Sequence, residues 1–108
     1  KERARTGKYG TYTPEATKEY EARVAAEYLK VARRYNRDSK GRYGLMVLAK
    51  VKSRRRQDVD NIVKAVMDGL NGVAYGDDSQ IDDLIVKRRL AKDEGPCVKV
   101  RVWRKEDE

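Results

Sequence analysis

Apolar residues along the chain fall into two periods, one near 3.6 and one of 2, and together they outline the fold. Thr13-Pro14-Glu15 marks a helix start: a threonine cap, proline at the first helical position, and an acid in the first turn. Tyr20, Val24, Tyr28, Val31, Ala32 and Tyr35 follow at spacings of three and four, predicting a helix to about Tyr35 or Asn36 with these side chains packed inward. Residues 36–42 read as a loop. Residues 43–53 predict a strand, apolar on both faces over 45–49 and alternating afterwards, as suits a central strand wet at one end.

The strongest helical period runs over 58–71, where Val59, Ile62, Val63, Val66, Met67 and Leu70 repeat at i, i+3, i+4, i+7, i+8 and i+11. Asn71-Gly72 supplies the stop, and 73–81 is a loop. Residues 82–91 and 97–104 predict two strands joined by a turn containing Gly95-Pro96. In the second, Val98, Val100 and Val102 are expected inside, with Lys99 and Arg101 outside. The order α, β, α, β, β predicts an α+β domain, a small mixed sheet with two helices, spanning 1–108 as one unit. Residues 1–12, KERARTGKYGTY, lack a helical period and read as a loop or edge strand. Lys1, Arg3, Arg5 and Lys8 there suit either phosphate contacts or a solvated terminus. Lys1 in place of Met points to residues ahead of it.

Composition narrows the chemistry. The formal net charge is +8 over 108 residues, which points to a polyanionic partner, nucleic acid before an anionic membrane surface. No apolar run approaches a membrane span, and no signal peptide is visible. With Cys97 alone there is no intrachain disulfide, in keeping with a reducing, cytoplasmic compartment. The chain has no histidine. His-based zinc sites and Ser–His or Cys–His nucleophilic pairs are therefore excluded. Catalysis would rest on carboxylates, lysine, hydroxyls or a bound metal.

The acids are not spread evenly. Of ten aspartates, seven lie in residues 58–83: Asp58, Asp60, Asp68, Asp77, Asp78, Asp82 and Asp83. One lysine, Lys64, shares that stretch, so it carries −6 and leaves +14 on the rest of a +8 chain. A positive surface around a small negative pocket suits a bound polyanion and a bound cation. Were Asp58 and Asp60 both helical, their carboxylates would diverge by ~200°. A helix starting at Val59 removes the conflict, leaving Asp58 as N-cap and Asp60 in the first turn, near the positive end of the helix dipole. Lys64 and Asp68 then continue the Asp60 row, one turn apart, opposite the apolar stripe. Asp77 or Asp78 would arrive from the following loop to complete a set of three. Oxygen ligands of this kind suit Mg²⁺ or Mn²⁺. The same residues also fit a plain cap, a row of surface ion pairs and an ordinary turn. The acids after Asp58 do not have EF-hand spacing. Arg54-Arg55-Arg56 beside the island and Lys87-Arg88-Arg89 after it suit a DNA backbone or a solvated face.

Arg54-Arg55-Arg56-Gln57-Asp58-Val59-Asp60-Asn61, Lys64, Asp68-Gly69-Leu70-Asn71-Gly72 and Asp77-Asp78-Ser79-Gln80-Ile81 together resemble the RusA family of Holliday junction resolvases. Thr11-Tyr12-Thr13-Pro14 with Lys18-Glu19-Tyr20-Glu21 is similar to the helix entry of its phage and prophage members. The resemblance implies a RusA-like fold and a bacterial or phage-encoded homodimer with two active sites. Each would use Mg²⁺ to nick one strand of a four-way DNA junction symmetrically. It assigns the catalytic and metal-binding aspartates to Asp58, Asp60 and Asp78 and the functional lysine to Lys64. Asp77 is the other member of the Asp77-Asp78 pair. Arg54, Arg55, Arg56, Lys64, Arg5 and Lys8 are the expected DNA contacts, and Tyr75 is the expected stacking residue near the junction. The family's strand ahead of the basic N-terminal segment is missing from this chain. Two other readings stand beside it: a non-catalytic basic nucleic-acid-binding module and a charged protein-interaction adaptor.

Overall fold

A computed structural model describes residues 14–52, 56–93 and 95–106, with backbone alone at 14–17 and 56–58. The order is α1 (Pro14–Ala32), β1 (Tyr43–Val51), α2 (Arg56–Leu70), a 3-10 turn (Asp78–Gln80), β2 (Ile81–Leu90) and β3 (Cys97–Arg104). This is the expected α+β architecture, two helices on a three-stranded mixed sheet.

Helix α1 opens on Pro14 as the local chemistry dictates, but it stops at Ala32 rather than Tyr35 or Asn36. Arg33 turns left-handed at φ 67° and returns its N–H to Leu29 O at 2.8 Å. Tertiary bonds draw the next residues away from the helix. The Asn36 N–H bonds to Val73 O at 2.7 Å, and its side-chain amide donates to the Tyr43 hydroxyl and to Ala74 O. Three such bonds outweigh the modest helix propensity of the segment. Tyr35, beyond the helix end, and Val31, in its last turn, were expected inside but are 55% and 85% exposed. Tyr20, Val24 and Tyr28 do pack against the core.

Strand β1 is central, as its two-sided apolar pattern requires, in the order β2-β1-β3. It pairs parallel with β2 through the α2 crossover and antiparallel with β3. β2 and β3 are consecutive but not neighbours, because β1 lies between them. Odd-numbered residues of β1 face the helices, and Leu45 and Val47 are fully buried with Val66 and Leu70 of α2. Val98 and Val102 join that core, whereas Val100 remains 38% exposed. The helices approach closely at Gly69, where a Cβ would meet Glu21 O at 2.8 Å. Gly72, at φ 77°, ends the α2 segment in the left-handed conformation that glycine tolerates.

Candidate functional site

Helix α2 starts at Arg56, three residues ahead of Val59, its first apolar position. Arg and Gln are good helix formers and extend the first turn backwards. Asp58 is thus not the N-cap, and Asp60 lies beyond the first turn. Helical backbone at both positions removes the extended geometry that would set the two side by side. The Asp58 side chain lies outside the described residues, as do Arg5, Lys8, Arg54, Arg55 and the side chain of Arg56.

Asp60, Lys64 and Asp68 form the expected exposed row along α2. All three line an open cleft of about 490 Å³ with Asp78, which arrives from the 3-10 turn. Val63 and Met67 of α2 and Leu84 and Val86 of β2 complete the wall. Three carboxylates and one ammonium, drawn from two elements, thus face a common space with apolar sides. Among the described residues, no three acids come close enough together to hold a metal ion.

Asp78 is placed by the turn it begins. Asp77 caps that turn, its carboxylate accepting the Ser79 N–H at 2.9 Å. The Gln80 side chain accepts the Asp77 N–H at 2.8 Å, closing a capping box. Gln80 is buried, and its amide donates to Asp38 O at 2.9 Å and Gly41 O at 2.8 Å, tying the turn to the loop before β1. Asp38 orders that loop by accepting from the Tyr43 hydroxyl and the Lys40 and Gly41 amides. Just past the turn, Arg42 forks onto both oxygens of Asp82, at 2.6 and 3.0 Å.

These bonds sort the acidic island. Ser79, through its hydroxyl and then its amide, holds Asp77 below the usual carboxylate range, with Asn71 assisting. The Arg42 guanidinium does the same for Asp82, and Asp83 pairs with Lys105 at 3.1 Å. Asp77 is held by Ser79, Asp82 by Arg42 and Asp83 by Lys105, and Asp60, Asp68 and Asp78 line the cleft. Asp77 is the cap of this turn.

Tyr75 is not a surface stacking residue. It is fully buried and donates its hydroxyl to Met67 O at 3.1 Å. Burial pushes its pKa up, and the charges of Asp78, Asp68 and Asp77 push it further. Gln80, Asp38 and Arg42 were not legible as site-forming residues from composition or period. The spacing of Asp77 and Gln80 does carry a signal, since D-x-x-Q is a capping-box pattern. A second hollow of about 580 Å³ between the end of α1 and the start of β1 is lined by Arg34, Arg37 and Arg104. Asp38, the carboxylate facing it, is already held by Tyr43 and two amides.

The family model for endodeoxyribonuclease RusA matches residues 1–103. The chain belongs to the RusA endodeoxyribonuclease family. No curated protein matches it. A RusA-family chain is a DNA-cutting hydrolase, and the cleft on α2 is where this chain gathers acids and a lysine. Among the described residues, no helix is long and apolar enough to cross a membrane.

Proposed function

We propose that the chain is a Mg²⁺-dependent endodeoxyribonuclease of one domain that resolves Holliday junctions by paired, symmetric nicks in recombination and repair, in the cytoplasm of a bacterial host. The observation that carries this reading is the convergence of Asp60, Lys64 and Asp78 on one cleft in a chain of the RusA family.

Asp60 and Asp78 would hold the ion, Mg²⁺ or Mn²⁺. Their oxygens are hard donors of the kind Mg²⁺ takes one or two at a time while keeping waters. Asp58 enters the set on the family pattern alone, and Asp68 stands beside the pair in the cleft. A bound divalent ion would supply an activated water and neutralise charge on the scissile phosphate. Lys64 offers a fixed positive charge on the cleft wall, where charge accumulates as the phosphodiester is attacked. Arg54, Arg55 and Arg56, separated from Asp58 by Gln57 alone, would grip the backbone of the same strand, with Arg5 and Lys8 as further contacts.

Two nicks require two such clefts, hence a homodimer. Support comes from β2, an edge strand with Leu84, Ile85 and Val86 41–46% exposed.

The test is a labelled four-way junction incubated with the parent and with Asp60→Asn, with and without Mg²⁺. Cutting by the parent in Mg²⁺, with binding but no cutting by Asp60→Asn, is expected. Cutting by Asp60→Asn at the parent rate refutes the assignment. Binding without cutting by the parent would instead fit a non-catalytic binding module.

A further inference from the structure

The run Lys87-Arg88-Arg89 finds no role in the cleft. Alternation along β2 splits it, since successive strand residues point to opposite faces. Arg88 pairs with Ala49 and shares the helix side, whereas Lys87 and Arg89 pair with Leu48 and Lys50 on the other side. On β3, Lys99 and Arg101 pair with Leu48 and Met46 on that same side. Five cations, Lys50, Lys87, Arg89, Lys99 and Arg101, therefore stand on one face of three strands. Asp83 is the acid among them, and it pairs with Lys105 at 3.1 Å. Both helices contribute their packed residues to the opposite face.

The centre of this face is not purely cationic. Met46 and Leu48 are half-buried between the basic strands. Trp103 lies over Gly44, where any added Cβ would strike its ring, and the Arg101 guanidinium sits 5.6 Å from the ring centroid. A flat aromatic flanked by guanidinium and ammonium groups suits a sugar–phosphate backbone or a splayed base. Charge decides among occupants. A second copy of this face would meet it cation to cation. Residues 1–12 carry Lys1, Arg3, Arg5 and Lys8 against Glu2, so their charge does not match this face either. A polyanion is attracted.

We infer that this open sheet face, opposite the cleft, is a second DNA-binding surface that takes the phosphate backbone of a duplex arm. The inference rests on the reading of the chain as a DNA-cutting enzyme and adds a surface that does no cutting.

The test uses Trp103, the single tryptophan, as reporter, with EDTA present and a linear duplex as probe. Tryptophan emission and affinity are followed against salt for the parent, for Lys87→Gln/Lys99→Gln, and for Lys30→Gln on α1 as control. The duplex is expected to change Trp103 emission in the parent and in Lys30→Gln. The double variant should lower the slope of log affinity against log salt by about 2, roughly 0.9 for each phosphate no longer neutralised. Its circular dichroism should match the parent's. Unchanged Trp103 emission on saturating duplex, or a parent-like slope in the double variant, overturns the inference. If the parent still cuts four-way junctions in that case, the nuclease reading survives and this one alone falls. A parent that binds neither duplex nor junction defeats both.

Discussion

Gln80 is the side chain on which the position of Asp78 depends most. Gln80→Ala removes three hydrogen bonds at once: to Gly41 O, to Asp38 O and from the Asp77 N–H. Their losses differ. The bond to Gly41 O is buried, and an unsatisfied buried group costs about 1–3 kcal/mol. Asp38 O keeps the Gly76 N–H at 3.1 Å, and the Asp77 amide lies at an exposed residue, so these two add about 0.5–1 kcal/mol each. The expected total is about 2–5 kcal/mol, or roughly 10–20 °C in Tm for a domain of this size. Thermal and urea unfolding measure it, and the urea m-value should not change, because the exposed area of unfolding is the same. Below the lowered Tm, junction cutting should fall chiefly in kcat, because Asp78 loses its frame while the basic DNA contacts persist. Gln80→Glu sharpens the test. It would place a carboxylate oxygen against two carbonyl oxygens, raising the folded-state pKa of the new acid above its unfolded value. The penalty relative to the parent should therefore grow as pH rises past about 4.3. A Gln80→Ala protein melting within about 2 °C of the parent, a span worth under ~1 kcal/mol, with the parent's kcat would refute the reasoning.

Other consequences are independent of Gln80. Tyr75→Phe should cost about 1 kcal/mol by losing the bond to Met67 O, with DNA affinity unchanged; a large loss of affinity would mean that the hydroxyl serves DNA rather than the core. Lys64→Gln should lower single-turnover cutting by about 10²–10³-fold with the melting curve preserved, and cutting at the parent rate would remove Lys64 from the cleft chemistry. Asp38, Asp77 and Asp82 all have folded-state pKa values below their unfolded ones. Their contribution is present above about pH 4 and is lost as pH falls through the depressed values. Tm measured against pH should accordingly fall on the acid side of about pH 4, and a Tm that rises with acidification would contradict the pairing described for these carboxylates.

Much of this fold was legible because its elements are strongly periodic. The apolar stripe of α2 and the two-sided apolar run of β1 left little choice about helix or central strand. The failures share one cause: bonds to distant residues that no local pattern reports. Asn36 ends α1 early through partners at Val73 and Ala74. Tyr75 reads as an exposed loop aromatic from its glycine-flanked setting but fills the core. β1 separates β2 from β3 because it needs a partner on each edge.

The site was half legible. The concentration of aspartates pointed to the candidate cleft, and the period of α2 put Asp60, Lys64 and Asp68 on one row. The division of labour among the acids was hidden. Asp77, Asp82 and Asp83 are distinguished from Asp78 by Ser79, Arg42 and Lys105, of which Arg42 lies forty positions from its acid. The helical start at Arg56 also depends on residues ahead of the apolar stripe, so the relation of Asp58 to Asp60 could not be fixed by period.

The central claim is that carboxylates from α2 and from the turn at Asp78 share one divalent ion. Titration of the isotope-labelled protein with Mn²⁺, followed by paramagnetic broadening of backbone amides, tests it most directly. Broadening should begin around Asp60, Lys64 and Asp78, with Mg²⁺ competing, and should weaken in both Asp60→Asn and Asp78→Asn. Broadening that begins elsewhere, or that persists unchanged in both variants, would contradict the claim.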